Sequence, residues 1–88
     1  MNVSITPTPN PNSMKITLDR PVIDKGSKTF DSAAEAAANP VASALFKIAG
    51  VRSVFMLNNF ITITKDPGSD WKALVPELEK TVRAQFKA

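Results

Sequence analysis

The chain has 88 residues, of which 43% are hydrophobic and 22% charged, so residues 1–88 are expected to form a single small globular domain. Because the sequence contains no cysteine and no histidine, it lacks disulfides, thiolate ligands, the commonest metal ligand and the commonest general base. The net charge of +3 comes from scattered lysines and arginines, without the cluster that a nucleic-acid-binding surface normally shows.

The first third of the chain predicts strands separated by turns. Residues 3–6 alternate apolar and polar side chains, which is typical of a short half-buried strand. The same alternation over residues 14–19 predicts a second strand, which Pro21 ends. A turn at residues 24–27 and a brief third strand at residues 28–30 follow.

Two helix starts are predicted from capping residues. Ser32 with Glu35 three positions later is a capping box in front of an alanine-rich helix. Asn39 before a proline is predicted to cap a second helix, residues 40–48, which Gly50 closes.

The last third predicts a hairpin and a long helix. Strands at residues 51–57 and 60–65 are joined through Asn58-Asn59, since asparagine tolerates the positive φ of a tight turn. Asp70 is predicted to cap a final helix in which Pro76 bends the axis or leaves one carbonyl unpaired. Its apolar positions recur every three or four residues: Trp71, Leu74, Leu78, Val82 and Phe86.

These elements follow one another as β-β-β-α-β-β-α, which predicts an α+β fold. A small antiparallel sheet with helices packed on one face is the expected architecture.

The proline-rich segment at residues 7–13 allows two interpretations. Prolines at every second position remove N–H donors from one edge only, so the segment protects a strand edge and makes a rigid turn. Alternatively, it is a stiff, extended recognition segment that displays Thr8, Asn10 and Asn12 at little entropic cost. Residues 10–13 are expected to make an Asx-type turn into the second strand.

The hairpin offers a second candidate surface. With a two-residue loop at Asn58-Asn59, Phe55, Leu57 and Phe60 share the outer face of the sheet, away from the helices, and form an apolar contact surface. A three-residue loop would move every side chain to the other face, and a covering helix would also hide the surface. The inner face would carry Val54, Met56, Ile61 and Ile63.

The third candidate is the group around the start of the last helix, formed by Lys65, Asp66, Asp70 and Trp71. Trp71 is predicted to anchor this helix in the core rather than to bind a ligand, and Asp70 to act as its N-cap. Asp66 and Asp70 have no further ligand pattern around them, so no metal site is predicted.

An ordered series of motifs resembles a known family. It looks like the N-terminal domain of Nfu-type iron–sulfur cluster scaffold proteins from about Ile5 to Phe86. The motifs are residues 8–15 (TPNPNSMK), 40–42 (PVA), 45–51 (LFKIAGV), 53–55 (SVF), 60–65 (FITITK) and 70–71 (DW).

The resemblance implies a pathway rather than a mechanism. In full-length family members a separate C-terminal domain carries a Cys-x-x-Cys pair that holds the cluster and passes it to apo-proteins. This chain has no cysteine, so we expect no bound cluster, cofactor or metal, and no enzymatic activity. We predict a protein-interaction domain of iron–sulfur cluster assembly that binds a carrier, scaffold or apo-target protein. The predicted partner-binding residues are Thr8, Asn10, Asn12, Lys15, Phe55, Leu57, Asn59 and Phe60.

The alternative function is a small basic nucleic-acid-binding domain that uses its exposed phenylalanines for stacking. No stretch is long and apolar enough for a membrane span and the N-terminus is not a signal peptide, so membrane binding is not expected and a cytoplasmic location is. The start at Met1 and the stop directly after the last helix favour a complete gene product.

Overall fold

An antiparallel five-stranded sheet with three helices on one face makes up the computed structural model, which describes residues 2–86. This confirms the predicted α+β class. In chain order the elements are β1 (Val3–Pro7), β2 (Ser13–Leu18), β3 (Ser27–Phe30), α1 (Ala33–Ala36), α2 (Pro40–Phe46), β4 (Val51–Leu57), β5 (Phe60–Lys65) and α3 (Trp71–Gln85).

The strand order across the sheet is β1-β2-β5-β4-β3. Three pairs of consecutive strands, β1–β2, β3–β4 and β4–β5, are neighbours in the sheet, and the non-sequential pair β2–β5 joins the two halves. Ile16 of β2 lies opposite Ile61 of β5, which in turn lies opposite Met56 of β4. A continuous apolar row therefore crosses the three central strands on one face.

The β4–β5 hairpin has the predicted two-residue loop. Leu57 lies opposite Phe60, and Asn58 adopts a φ of 52°. That left-handed conformation is one that asparagine reaches more easily than most residues. The backbone oxygen of Asn59 accepts from the N–H of Leu18 at 2.8 Å, so the loop also pairs with the end of β2.

Capping side chains set the start of the first two helices as predicted. The Ser32 hydroxyl accepts from the N–H of Glu35 at 3.1 Å, and the Glu35 carboxylate accepts from the N–H of Asp31, one residue before the cap. The amide oxygen of Asn39 accepts two N–H groups at the start of α2. α1 is a single turn, because the extended Asn39 cap that starts α2 follows closely behind it.

α2 ends at Phe46, two residues before the predicted end. The N–H groups of Lys47 and Ile48 donate to the carbonyls three residues back, at 3.2 and 3.1 Å. This narrower winding closes the helix. Gly50 then takes a φ of 99°, a conformation open to glycine, and directs the chain into β4.

α3 begins at the predicted cap, where the carboxylate of Asp70 accepts from the N–H of Lys72 at 3.0 Å. Its apolar stripe packs on the sheet, and Trp71 lies partly buried against the core, as predicted. The buried core contains Ile16, Leu18, Phe30, Ala36, Ala42, Leu45, Val54, Met56, Ile61, Ile63, Leu74, Leu78 and Val82.

Candidate partner-binding surface

The sheet face opposite the helices carries the predicted aromatic surface. Because side chains alternate along a strand, burial of Val54 and Met56 in the core places Phe55 and Leu57 on the other side. Phe60 lies opposite Leu57 on that same face. All three outer side chains are only half-buried, and none packs against the core. The structure thus confirms their predicted placement.

Lys15 completes a compact group on this face. Its Nζ lies 4.3 Å from the centroid of the Phe60 ring, within the range of a cation–π interaction. The Phe55 and Phe60 rings are 6.3 Å apart between centroids, with their planes tilted by 48°. We call Lys15, Phe55, Leu57 and Phe60 the outer-face cluster. A cationic group and three apolar side chains thus lie together on three adjacent strands.

Apart from the exposed Arg52, which lies in the bulge of β4 and has no register partner, the rest of the outer face is uncharged. Of the residues from 2–86 that the strand register places there, Lys15 is the only charged one. A depletion of charge around exposed aromatic side chains is typical of the centre of a protein–protein interface. The surrounding side chains are the hydroxyl residues Ser4, Thr6, Ser13, Thr17, Ser27, Thr29, Ser53, Thr62 and Thr64.

The proline-rich segment is folded rather than extended, so that prediction is wrong beyond the end of β1. The chain reverses through residues 8–12, the proline turn. The N–H of Ser13 donates to the backbone oxygen of Asn10 at 3.0 Å, and the Asn10 side-chain oxygen accepts from the N–H of Asn12 at 2.9 Å. The second bond is the predicted Asx turn. The Thr8 hydroxyl lies 3.1 Å from the Ser13 oxygen, inside the same turn.

Pro7 protects the free edge of β1, as the first interpretation predicted. The N–H of Leu18 in β2 donates toward Asn59 beyond the start of β5. Met14 has the same strand parity, so its backbone groups also point toward β5. Pro7 lies opposite Met14, and its nitrogen therefore points away from β2, to the edge where no strand pairs. The other two prolines lie in the proline turn.

A buried lysine ties the proline turn to the start of α3. Lys65 is only 7% exposed, and its Nζ donates to the Asn12 side-chain oxygen at 3.2 Å and to the Asp66 backbone oxygen at 3.4 Å. Its Nζ also lies 5.8 Å from the Trp71 ring centroid, and the Trp71 indole N–H donates to the Pro11 oxygen at 2.9 Å. The amide of Asn12 therefore has a structural partner.

The predicted partner-binding residues lie in three separate parts of the structure and do not form one site. Four form the outer-face cluster. Thr8, Asn10 and Asn12 lie in the proline turn, at the end of the sheet opposite the Asn58-Asn59 loop. The Asn59 side chain donates to the backbone oxygen of Leu18 at 3.0 Å and so holds its loop against β2. The side-chain polar groups of these four residues make internal hydrogen bonds.

Residues 2–86 lack the side-chain groups and the helices that a metal site or a membrane span requires. No group of three or more carboxylate, imidazole or thiol side chains is arranged to hold a metal ion within that range. None of its helices has the length and apolar character that crossing a membrane requires.

Together, the fold and the outer face define a small α+β domain with one uncovered, charge-poor sheet face. The family described as "Scaffold protein Nfu/NifU N terminal" matches residues 3–88. The chain therefore belongs to the Nfu/NifU N-terminal family.

Curated relatives agree with this assignment. The chain is 40% identical over 87 residues to the human protein named "NFU1 iron-sulfur cluster scaffold homolog, mitochondrial", covering 98% of this chain and 34% of that protein. It is 36% identical over 78 residues to "NifU-like protein 5, mitochondrial" of Arabidopsis thaliana, covering 89% and 28%. It is 37% identical over 78 residues to "Conserved virulence factor C" of Staphylococcus haemolyticus, covering 89% and 21%. The chain thus spans between about a fifth and a third of the length of these relatives.

Solved structures share the fold. The crystal structure of protein SAV1430 from Staphylococcus aureus has a TM-score of 0.81 at 30% identity, with 93% of this chain and 99% of that chain covered. The solution structure of a NifU-like protein from Saccharomyces cerevisiae also has a TM-score of 0.81, at 25% identity, covering 97% and 77%.

Proposed function

We propose that this chain is a non-enzymatic protein-interaction domain that serves iron–sulfur cluster assembly or delivery. The observation that carries the proposal is family membership over residues 3–88 combined with an uncovered, charge-poor sheet face. Relatives are named as iron–sulfur cluster scaffolds, and a scaffold must bind the proteins between which a cluster passes. The partner we propose is a cluster carrier, another scaffold or an apo-target.

The contribution of this domain is binding rather than cluster ligation. Iron–sulfur clusters are held mainly by cysteine thiolates, with histidine as the known substitute in some centres. The chain contains neither residue type. A cluster that passes through the assembly is therefore cargo on the partner's ligands.

We assign the binding role to the outer-face cluster. Its aromatic side chains lie free of the core, whereas the asparagines of the proline turn use their side-chain oxygens within the fold. The nucleic-acid alternative has no support from the relatives. It would also require several phosphate-neutralising cations on the stacking face; within residues 2–86 the strand register places Lys15 there, and the exposed Arg52 lies at the β4 bulge.

Affinity capture from cell extract tests the proposal. The intact chain is compared with the double variant Phe55→Ser/Phe60→Ser and with the control Lys47→Ala, whose exposed side chain follows α2 on the helix side. We expect quantitative mass spectrometry to find iron–sulfur carriers, scaffolds or apo-targets enriched by the intact chain and the control, and lost with the double variant. Absence of such proteins from every capture would overturn the function, and equal recovery by all three would overturn the surface.

The cytoplasmic location stays a prediction. Two of the relatives named above are mitochondrial proteins and one belongs to a staphylococcus, so their names indicate no single compartment.

A further inference from the structure

Lys15 is a charged group without a carboxylate partner. The ion pairs present in residues 2–86 are Arg20–Asp19 and Arg83–Glu79, and neither involves Lys15. Its Nζ rests instead over the Phe60 ring at 4.3 Å. The side chain is half-buried in a face that otherwise carries hydroxyl and apolar groups. Its amine is therefore solvated by water and by the π face of Phe60.

A partner that covers the outer-face cluster also removes water from this amine. Burying a charged group without a compensating charge or hydrogen bond is strongly unfavourable. The hydroxyls around it are weaker acceptors than a carboxylate, which forms a short charge-assisted hydrogen bond with an ammonium group. A protein that packs on Phe55 and Phe60 thus gains most when it brings a carboxylate to Lys15.

A second copy of this chain does not meet this requirement. The register places no carboxylate on the outer face within residues 2–86, so a face-to-face pair would enclose two Lys15 amines and supply a carboxylate to neither. Like charges in a closed interface oppose association. A single-stranded nucleic acid would offer phosphates to Lys15, but within residues 2–86 the strand register places no second cation on this face to neutralise further phosphates.

The dimensions of the cluster match a helix. Phe55, Leu57 and Phe60 lie on two adjacent strands and Lys15 on the next, so the group extends over roughly 10 Å at a strand spacing of about 4.8 Å. An α-helix with its side chains is about 10–12 Å across. On the opposite face, residues of these three strands share one buried core with residues of α2 and α3.

We propose that the outer-face cluster binds an amphipathic helix of a partner protein, whose apolar stripe covers Phe55, Leu57 and Phe60 and whose flanking carboxylate pairs with Lys15. This inference rests on the proposed function, since it specifies the partner surface that the same site recognises. In such a complex the aromatic side chains supply most of the binding affinity, and Lys15 discriminates between acidic and basic partners.

Two synthetic helical peptides with an identical leucine stripe, one flanked by glutamates and one by lysines, provide the test. Each is titrated into isotope-labelled chain, and amide shifts are followed by NMR. We expect the glutamate peptide to shift resonances of β2, β4 and β5 and to bind about tenfold more tightly than the lysine peptide. The variant Lys15→Glu should reverse this preference, and Lys15→Gln should abolish it. Dispersed spectra of both variants verify folding.

Several results would overturn the inference. They are equal binding of the two peptides, binding of neither, shifts confined to the helix side, or concentration-dependent pairing of the chain through this face. Stronger shifts with a single-stranded oligonucleotide would also overturn it. None of these results bears on the recovery of iron–sulfur proteins in the capture experiment. The proposed function is therefore tested independently of the helix-binding inference.

Discussion

The indole Nε1 of Trp71 donates a hydrogen bond to the backbone oxygen of Pro11 at 2.9 Å, joining residues 60 positions apart. The variant Trp71→Phe keeps most of the apolar ring and removes this donor. We expect the free energy of unfolding to fall by about 0.5–1.5 kcal/mol, the usual net contribution of one hydrogen bond. Urea denaturation followed by circular dichroism measures it, because the variant loses the only tryptophan. An unchanged midpoint would show that the bond contributes nothing.

Asn12 supplies the only side-chain oxygen that accepts from the buried Lys65 amine among residues 2–86. We expect Asn12→Ala to lower the free energy of unfolding by about 1–3 kcal/mol, because a buried donor then loses a partner. Asn10→Ala is the control: it removes a hydrogen bond of similar length in an exposed turn, where water replaces the lost acceptor. Chemical denaturation of both variants shows whether Asn12→Ala loses more unfolding free energy than Asn10→Ala. An equal loss for the two would contradict the role assigned to Lys65.

Two glycines make a matched pair for a steric prediction. At Gly50 the φ is +99° and an added Cβ would lie 2.5 Å from the Ser69 hydroxyl oxygen. Gly50→Ala should therefore destabilise the fold by about 1–3 kcal/mol. At Gly68 an added Cβ meets nothing within 4 Å, so Gly68→Ala should stabilise by about 0.4–1 kcal/mol through the unfolded chain. Melting temperatures that shift in the same direction for both would refute this account.

The pKa of Asp19 lies below its ordinary value, mainly because the backbone N–H of Asn2 donates to the carboxylate at 3.0 Å. Desolvation opposes this effect and raises the pKa, whereas the hydrogen bond and the charge of Arg20 lower it. A pKa that is lower in the folded state stabilises the fold above the unfolded pKa, and this stabilisation is lost as pH falls through the folded pKa. The stability difference between the intact chain and Asp19→Asn should therefore shrink in acid. Denaturation midpoints between neutral and acidic pH measure it, and a constant difference would contradict it.

Anaerobic reconstitution with iron and sulfide addresses the assignment of cluster ligation to partners. Because the chain offers no thiolate and no imidazole, we expect no stoichiometric cluster after desalting. Visible absorbance and iron analysis are the measurements, with a cysteine-bearing iron–sulfur protein treated in parallel as control. A desalted protein that is brown and retains stoichiometric iron would contradict the proposal.

Local pattern was enough to predict most elements and the hairpin register. The period-two alternation of β4 and β5, together with the two asparagines between them, determined which side chains face outward, and the structure has that register. The caps at Asn39 and Asp70 were also predictable, since each depends only on the few residues that follow it.

Contacts between distant segments were not predictable in the same way. Nothing local to the prolines indicates that the Asn12 side chain accepts from Lys65, 53 positions away. One signal was available: Lys65 shares the strand parity of Ile61 and Ile63, which places its side chain on the inner face. The pairing of β2 with β5 could not be predicted from the sequence either, because it joins segments that are far apart in the chain.

The central position of the β2–β5 pair has a consequence for how the chain is made. The hydroxyls of Ser13 and Thr64 in this pair are 3.0 Å apart across 51 positions. During synthesis the first hairpin leaves the ribosome long before β5 exists, and it has no inner layer to pack against. Contacts of such long sequence separation slow folding because a large loop must close first. The domain therefore acquires its core only when nearly all of it has been translated.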